Sequence, residues 1–160
     1  MPSDYRHPSY GPKSGLKDGV TPTDLAWFAG FVDGEGCLVI YPNISNRGNS
    51  FLARLLVQNT DLLPLKTIQS FYKDEANIGI YTGINSKRPH QKDLYRISIP
   101  QRILLETLSA LVPYLKNKQE QAWIAMNYLI TRFSNQHELD DKVFHDYADD
   151  IKFAKTLVVT

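Results

Sequence analysis

A single cysteine, Cys37, is present, so no disulfide can form within the chain. A lone cysteine reads as a packing residue and is compatible with a reducing compartment. No apolar run approaches the roughly 20 residues that a membrane-spanning helix needs. The N-terminus lacks a basic stretch followed by an apolar one, so no secretory signal is expected and the tripeptide Asn43-Ile44-Ser45 carries no weight as a glycosylation site. There is no glycine-rich phosphate loop, and His7, His90, His137 and His145 show no metal-ligand spacing. No internal repeat is found. A strong net charge is missing too: the formal value of +1 gives by itself no argument for a polyanionic partner.

What is present suits one domain with a substantial core: 160 residues, of which 42% are hydrophobic. The charge is unevenly spread. Residues 37–118 hold eleven Lys/Arg against five Asp/Glu, whereas residues 134–150 hold six acids and one lysine. A basic middle and an acidic end fit a polyanion bound by one face, although ordinary solvated surface explains the same pattern equally well.

Residues 1–20 contain three prolines and three glycines without an apolar period, and read as a flexible N-terminal arm ahead of a single domain over 21–160. Thr21-Pro22-Thr23-Asp24 is a helix start: a hydroxyl cap, proline at the first position and an acid three residues on. The helix is expected to run from Pro22 to about Asp33 and to stop at Gly34-Glu35-Gly36. Two strands, Leu38 to Ile44 and Phe51 to Gln58, flank the turn signal Asn46-Arg47-Gly48-Asn49. A helix capped by Thr60 extends to about Tyr72. Ile78 to Ile84 and Leu94 to Ile99 form a second hairpin around the polar loop Asn85 to Asp93. Helices follow from Pro100 to about Leu111, from Lys118 to Arg132, and, shorter and acidic, within Asp140 to Ala154.

The order α-β-β-α-β-β-α, with further helix at the end, predicts an α+β domain: a four-stranded antiparallel sheet with helices on one face. Alternation turns Leu55, Val57, Tyr95, Ile97 and Ile99 toward the helices, and Arg54, Leu56, Gln58, Arg96 and Ser98 away from them. The outer face is therefore polar and partly basic.

The densest signal is Phe28-Ala29-Gly30-Phe31-Val32-Asp33-Gly34-Glu35-Gly36. Ala26, Gly30 and Gly34 form one stripe at four-residue spacing. Glycine inside a helix costs about 1 kcal/mol relative to alanine, and close approach by another helix offsets that cost. Asp33 and Glu35 stand at a helix C-terminus, where the macrodipole disfavours anions. A bound cation reverses the penalty, and carboxylate oxygens suit Mg²⁺. One chain carries one such helix, so the partner is expected to be a second copy in a C₂ homodimer, with two carboxylate-bearing ends brought together. Metal-assisted phosphodiester hydrolysis is the chemistry such a pair of ends could support.

At this point the sequence resembles the LAGLIDADG homing endonucleases. Residues 28–36 match the family motif through Ala-Gly, Asp-Gly and the closing acid-Gly. Val57-Gln58-Asn59-Thr60-Asp61 is similar to the family's end of the second strand, and Pro113-Tyr114-Leu115-Lys116-Asn117-Lys118-Gln119 to the segment before its penultimate helix. The resemblance spans roughly residues 22–132. Gly79-Ile80-Tyr81 is half of a different nuclease motif whose second half is missing, and reads as strand.

The resemblance implies the LAGLIDADG endonuclease fold and a homodimer that cuts long, nearly palindromic double-stranded DNA with Mg²⁺ or another divalent cation such as Mn²⁺, promoting intron mobility. It implies that Glu35 binds the metal, helped by the backbone carbonyl of Gly34. The family more often has aspartate at Glu35, which leaves the rate less certain than the role. Asn59 matches a residue that orients the attacking water, where glutamine is also common, and Lys118 matches a lysine near the scissile phosphate. The dimer interface is expected to use Ala26, Gly30 and Gly34. Asp33 is assigned to holding the helix ends together across that interface. Trp27 and Phe31 contact either the partner or their own subunit.

The family lays the outer face of its sheet along the major groove, whose edge carries the full base code. The expected readers are Tyr41, Asn43, Arg54, Leu56, Gln58, Thr82 and Arg96, with arginine suited to guanine and Asn43 or Gln58 to adenine. The loop residues Asn46, Arg47, Asn49, Lys87 and Arg88 are expected at outer base pairs or phosphates. An organelle, chloroplast or mitochondrion, or a microbial cytoplasm is the implied location, and no membrane partner is expected. Two other readings keep the fold: an intron-encoded maturase that binds intron RNA, and a catalytically silent DNA-binding module.

Overall fold

Residues 12–45, 48–83, 92–134 and 141–156 are described by the structure, a computed structural model. The capping box at Thr21 forms as the sequence predicts. The Thr21 hydroxyl accepts from the Asp24 N–H at 3.1 Å, and Asp24 Oδ2 accepts from the Thr21 N–H at 3.0 Å. Helix α1 (Pro22–Glu35) runs two residues further than expected. Gly36 ends it in an extended conformation, φ −85°, so a left-handed exit is not the reason for glycine there. The reason is crowding: a Cβ on Gly36 would sit 2.8 Å from the Val32 carbonyl oxygen.

From Gly36 the chain passes without a loop into β1 (Gly36–Ser45), which pairs with β2 (Gly48–Asn59). Asp61, not Thr60, caps α2 (Leu62–Ser70), its carboxylate accepting from the Leu63 N–H at 3.1 Å. A 3₁₀ turn, Asp74–Ala76, leads to Asn77 in the left-handed region (φ 52°) and to a short β3 (Ile80–Gly83). Strand β4 (Leu94–Ile99) has the predicted bounds. Helices α3 (Gln101–Leu111), α4 (Gln119–Ser134) and α5 (Asp141–Thr156) follow, and α5 is as long as α4 rather than shorter.

The sheet is antiparallel throughout, in the order β1-β2-β4-β3. The expected fold class is thus what forms. Leu38, Leu55, Val57, Ile97 and Ile99 bury one face against α1, α2 and α3. Phe28, Leu65, Ile68, Leu104, Leu108 and Leu111 are the helical side of this core, each fully buried. At roughly 1.5–3 kcal/mol per buried large side chain, this layer is the main source of stability. Helix α5 packs on α4 and β1 through Ala148, Ile151 and Ala154.

The N-terminal segment corrects the expectation of an arm that is flexible up to residue 20. From residue 12 onward it is tied down. The Gly15 and Leu16 N–H groups both donate to Glu106 Oε1 at 2.8 Å, Lys13 N–H donates to the Arg102 carbonyl, and Leu16 bridges to Tyr72. Gly15 is buried against Ile103 and Ala76, leaving no ordinary room for a Cβ.

Candidate functional site

Three pieces converge on the end of the sheet where α1 becomes β1. Gly36 is the first residue of β1 and pairs with Val57, so Glu35 lies beside the end of β2 that carries Gln58 and Asn59. The segment before α4 reaches the same place. Asp33 Oδ2 accepts the Lys116 N–H at 2.7 Å, and Asp33 Oδ1 accepts those of Asn117 and Lys118 at 3.2 and 3.0 Å. In return the Lys118 ammonium donates to the Asp33 carbonyl.

Asp33, expected to hold helix ends together across an interface, thus ties α1 to the segment before α4 of its own chain. Both its oxygens are used inside its own chain. This also explains half of the charge anomaly: an anion disfavoured at the end of α1 is stabilised by three N–H groups at the start of α4. Lys118 adds a cation at the carbonyl end of α1, where a cation belongs. Glu35 is left over. It is exposed, and among the described residues it has no hydrogen-bond or ion-pair partner.

Could this end hold a cation? The donors present are hard oxygens, the Glu35 carboxylate and the exposed Gly34 backbone, which suits Mg²⁺ or Mn²⁺. Among the described residues no three His, Cys, Asp or Glu side chains come together, so one chain supplies only part of a coordination shell. Asn59 is near but partly committed. Its Oδ1 accepts the Asp61 N–H at 2.7 Å in a local turn, which leaves its amide N–H groups for another partner.

The glycine stripe lies on the surface. Ala26, Gly30 and Gly34 are all exposed, and a Cβ built on either glycine meets nothing within 4 Å. Nothing among the described residues requires glycine at these two positions. Trp27 borders the stripe, 40% exposed, stacked on Phe31 at 5.5 Å and edge-on to Phe71 at 6.1 Å. Both aromatic residues thus pack within the chain while Trp27 also faces outward.

The outer face of the sheet forms an open concavity of about 820 Å³, lined by Val39, Tyr41, Arg54, Leu56, Tyr81, Arg96 and Ser98 among others. Tyr41, Arg54, Leu56, Gln58 and Arg96 all turn outward as predicted from alternation. Thr82 does not. Its partner across the ladder is Tyr95, on the helix side, whereas Tyr81 pairs with Arg96 and is 65% exposed. Cross-strand partners share a face, so Tyr81 replaces Thr82 as an outward residue. Strict period-two counting from the buried Ile78 puts Ile80 and Thr82 on the inward side and Tyr81 on the outward one. Ser98 was seen as outward but not singled out; it accepts from Arg54 Nη1 at 3.1 Å. Asn46, Arg47, Lys87 and Arg88 lie outside the described residues, as do the side chains of Asn43 and Asn49. No helix among the described residues is long and apolar enough to cross a membrane.

No protein-family model matches this chain, and no curated protein does. Solved structures do resemble it. The homing endonuclease I-CvuI, in complex with the I-CreI target in the presence of magnesium, superposes with a TM-score of 0.62 over 82% of both chains at 22% identity. The archaeal intron-encoded homing endonuclease I-Vdi141I, complexed with DNA, gives 0.60 over 85% of this chain and 94% of that one at 11% identity. The LAGLIDADG meganuclease I-AabMI, bound to uncleaved DNA, gives 0.53 over 88% of this chain but 46% of its own length at 18% identity.

Proposed function

We propose that this chain, which has the fold of the LAGLIDADG homing endonucleases, is a homodimeric, divalent-metal-dependent endonuclease that makes a double-strand break at a long, nearly palindromic DNA site and so promotes intron mobility. One observation carries the reading. The surface stripe Ala26-Gly30-Gly34 has open space above it and ends at Glu35, an acid without a partner among the described residues. A second copy of α1 against the stripe accounts for the glycines and brings two Glu35 carboxylates together.

Glu35 and the Gly34 carbonyl would hold Mg²⁺, or Mn²⁺. When bound, such an ion lowers the pKa of its water and neutralises charge on the phosphate. The protein's own groups have separate tasks. The Asn59 amide, with its oxygen fixed in the turn, directs its N–H groups at the attacking water. The Lys118 ammonium, held at the end of α1, offers its remaining N–H groups to a phosphate oxygen and stabilises the charge that develops there. The outer face of the sheet, with Arg54 and Arg96, lies along the major groove.

The test is cleavage of a plasmid library carrying palindromic sites with randomised half-sites, with Mg²⁺ present. Wild type is expected to linearise a subset of plasmids. Glu35→Gln keeps the shape without the charge; it is expected to bind the same subset in Ca²⁺ and to cut neither strand. Glu35→Asp is expected to retain activity. A Glu35→Gln protein that cuts at the wild-type rate refutes the assignment.

A further inference from the structure

The two outward arginines are each held by a side chain of the neighbouring strand. With the Gln58 carboxamide oxygen facing the guanidinium, it accepts from Arg96 Nη2 at 2.7 Å and from Arg96 Nε at 2.9 Å. The opposite amide orientation would set donors against donors. Gln58 and Arg96 are direct partners across the β2–β4 ladder. Arg54, on β2, donates through Nη1 to the Ser98 hydroxyl on β4 at 3.1 Å. Each strand thus supplies one arginine and the acceptor for the other.

Resting on the DNA-binding reading above, we propose that Gln58 and Ser98 are positioning residues that hold Arg96 and Arg54 for recognition of two guanines in each half-site, Arg96 through the end of its guanidinium and Arg54 through the Nε–Nη2 edge that Ser98 leaves free. An exposed arginine carries about 2 kcal/mol of rotamer entropy, which a fixed guanidinium no longer loses when it meets a base. Gln58 occupies the Nε–Nη2 edge of Arg96, so the Nη1–Nη2 end points outward. That end presents two parallel N–H donors, the match for O6 and N7 of guanine. Gln58 itself cannot then read adenine, because that needs a free carboxamide oxygen to accept from N6. This revises the expectation that Gln58 is a reader.

The spacing follows from the register. Arg96 stands opposite Gln58, four residues from Arg54 along β2, a separation of about 13 Å at strand rise. At 3.4 Å per base pair that is about four base pairs of duplex. Leu56 lies between them on the same face and offers an apolar contact for a thymine methyl. Arg96 is at the Glu35 end of the sheet, so its guanine is the one nearer the centre of the site.

The experiment is selection by the full-length protein from a pool of palindromic duplexes with randomised half-sites, bound in Ca²⁺ and sequenced. Wild type is expected to enrich guanine at two positions about four base pairs apart, on the order of tenfold or more at each. Gln58→Leu is expected to flatten the inner preference only, Ser98→Ala the outer only, and Gln58→Glu, which keeps an acceptor, to restore the inner one. Thermal melts of the variants check that the fold is intact. Should Gln58→Leu instead abolish an adenine preference, or should the selected sites lack the guanine pair, Gln58 and Ser98 are not positioning arginines and the endonuclease reading stands without them. A wild-type protein that enriches no sequence overturns both.

Discussion

Replacing Gly30 separates what the chain needs for its own stability from what the proposed dimer needs. Among the described residues a Cβ at Gly30 meets nothing within 4 Å, and the position is in the middle of α1. Gly30→Ala should therefore stabilise the isolated fold, by about 0.5–1 kcal/mol, through the lower entropy of the unfolded chain. In a dimer packed through α1 the same methyl enters a close helix–helix contact. Overpacking costs about 1–3 kcal/mol per site, and two-fold symmetry makes it two sites, so the dimer loses about 2–6 kcal/mol. That is a weakening of roughly 30-fold or more. Sedimentation across a concentration series reads the association, and urea unfolding at concentrations below dissociation reads the fold. The expected signature is opposite signs: a tougher monomer and a weaker dimer. Gly30→Leu should exaggerate the second effect. A Gly30→Leu protein that associates like wild type, or a wild type that sediments as a monomer both free and on DNA, would refute the reasoning.

Asp33→Ala should cost about 0.5–2 kcal/mol in urea unfolding, because it removes the carboxylate that accepts the N–H groups of Lys116, Asn117 and Lys118, the first two of which can turn to water instead; a neutral result would mean that these bonds do not hold α4 to α1. For Glu106, burial alone would raise the carboxyl, but hydrogen bonds from Ser14, Leu16 and Gly15 and the charge of Lys73 outweigh it and leave it below its ordinary value. A lowered folded value means that its stabilisation is complete above the unfolded-chain value, about 4.3, and is lost as pH falls through the lowered one. Hydrogen exchange at Gly15 and Leu16, corrected for intrinsic rate, should accelerate in that acid window, and Glu106→Gln should show faster exchange already at neutral pH; exchange indifferent to both would contradict the role of Glu106 as the anchor.

Much of this was legible because the signals are local. The Thr21–Asp24 box needs four residues, and the bounds of β4 follow from alternation closed by Pro100. The inward and outward sides of β2 were readable for the same reason. What escaped depends on contacts distant in sequence. Nothing near Gly15 announces that Glu106, 91 residues away, will take its N–H. Nor does anything near Asp33 announce that its three donors will come from residues 116–118. The family motif was readable as a pattern, and the structural likenesses agree with it, yet the pattern could not say which of its two acids the chain itself would satisfy.

The direct passage from α1 into β1 has a mechanical consequence. Glu35 is the last residue of a helix and Gly36 the first of a strand, so in the proposed dimer no loop would separate the helix at the two-fold axis from the sheet face offered to DNA. Each protomer would then act as a stiff lever. Strand β1, ten residues long, carries its far end about 33 Å from the pivot. In such a dimer the crossing of the two α1 helices would fix both the separation and the rotational phase of the two half-sites. One inserted base pair at the centre would turn the halves by roughly a tenth of a turn relative to each other. With no compliant joint to absorb that rotation, such a protein measures the length of its site as strictly as its letters.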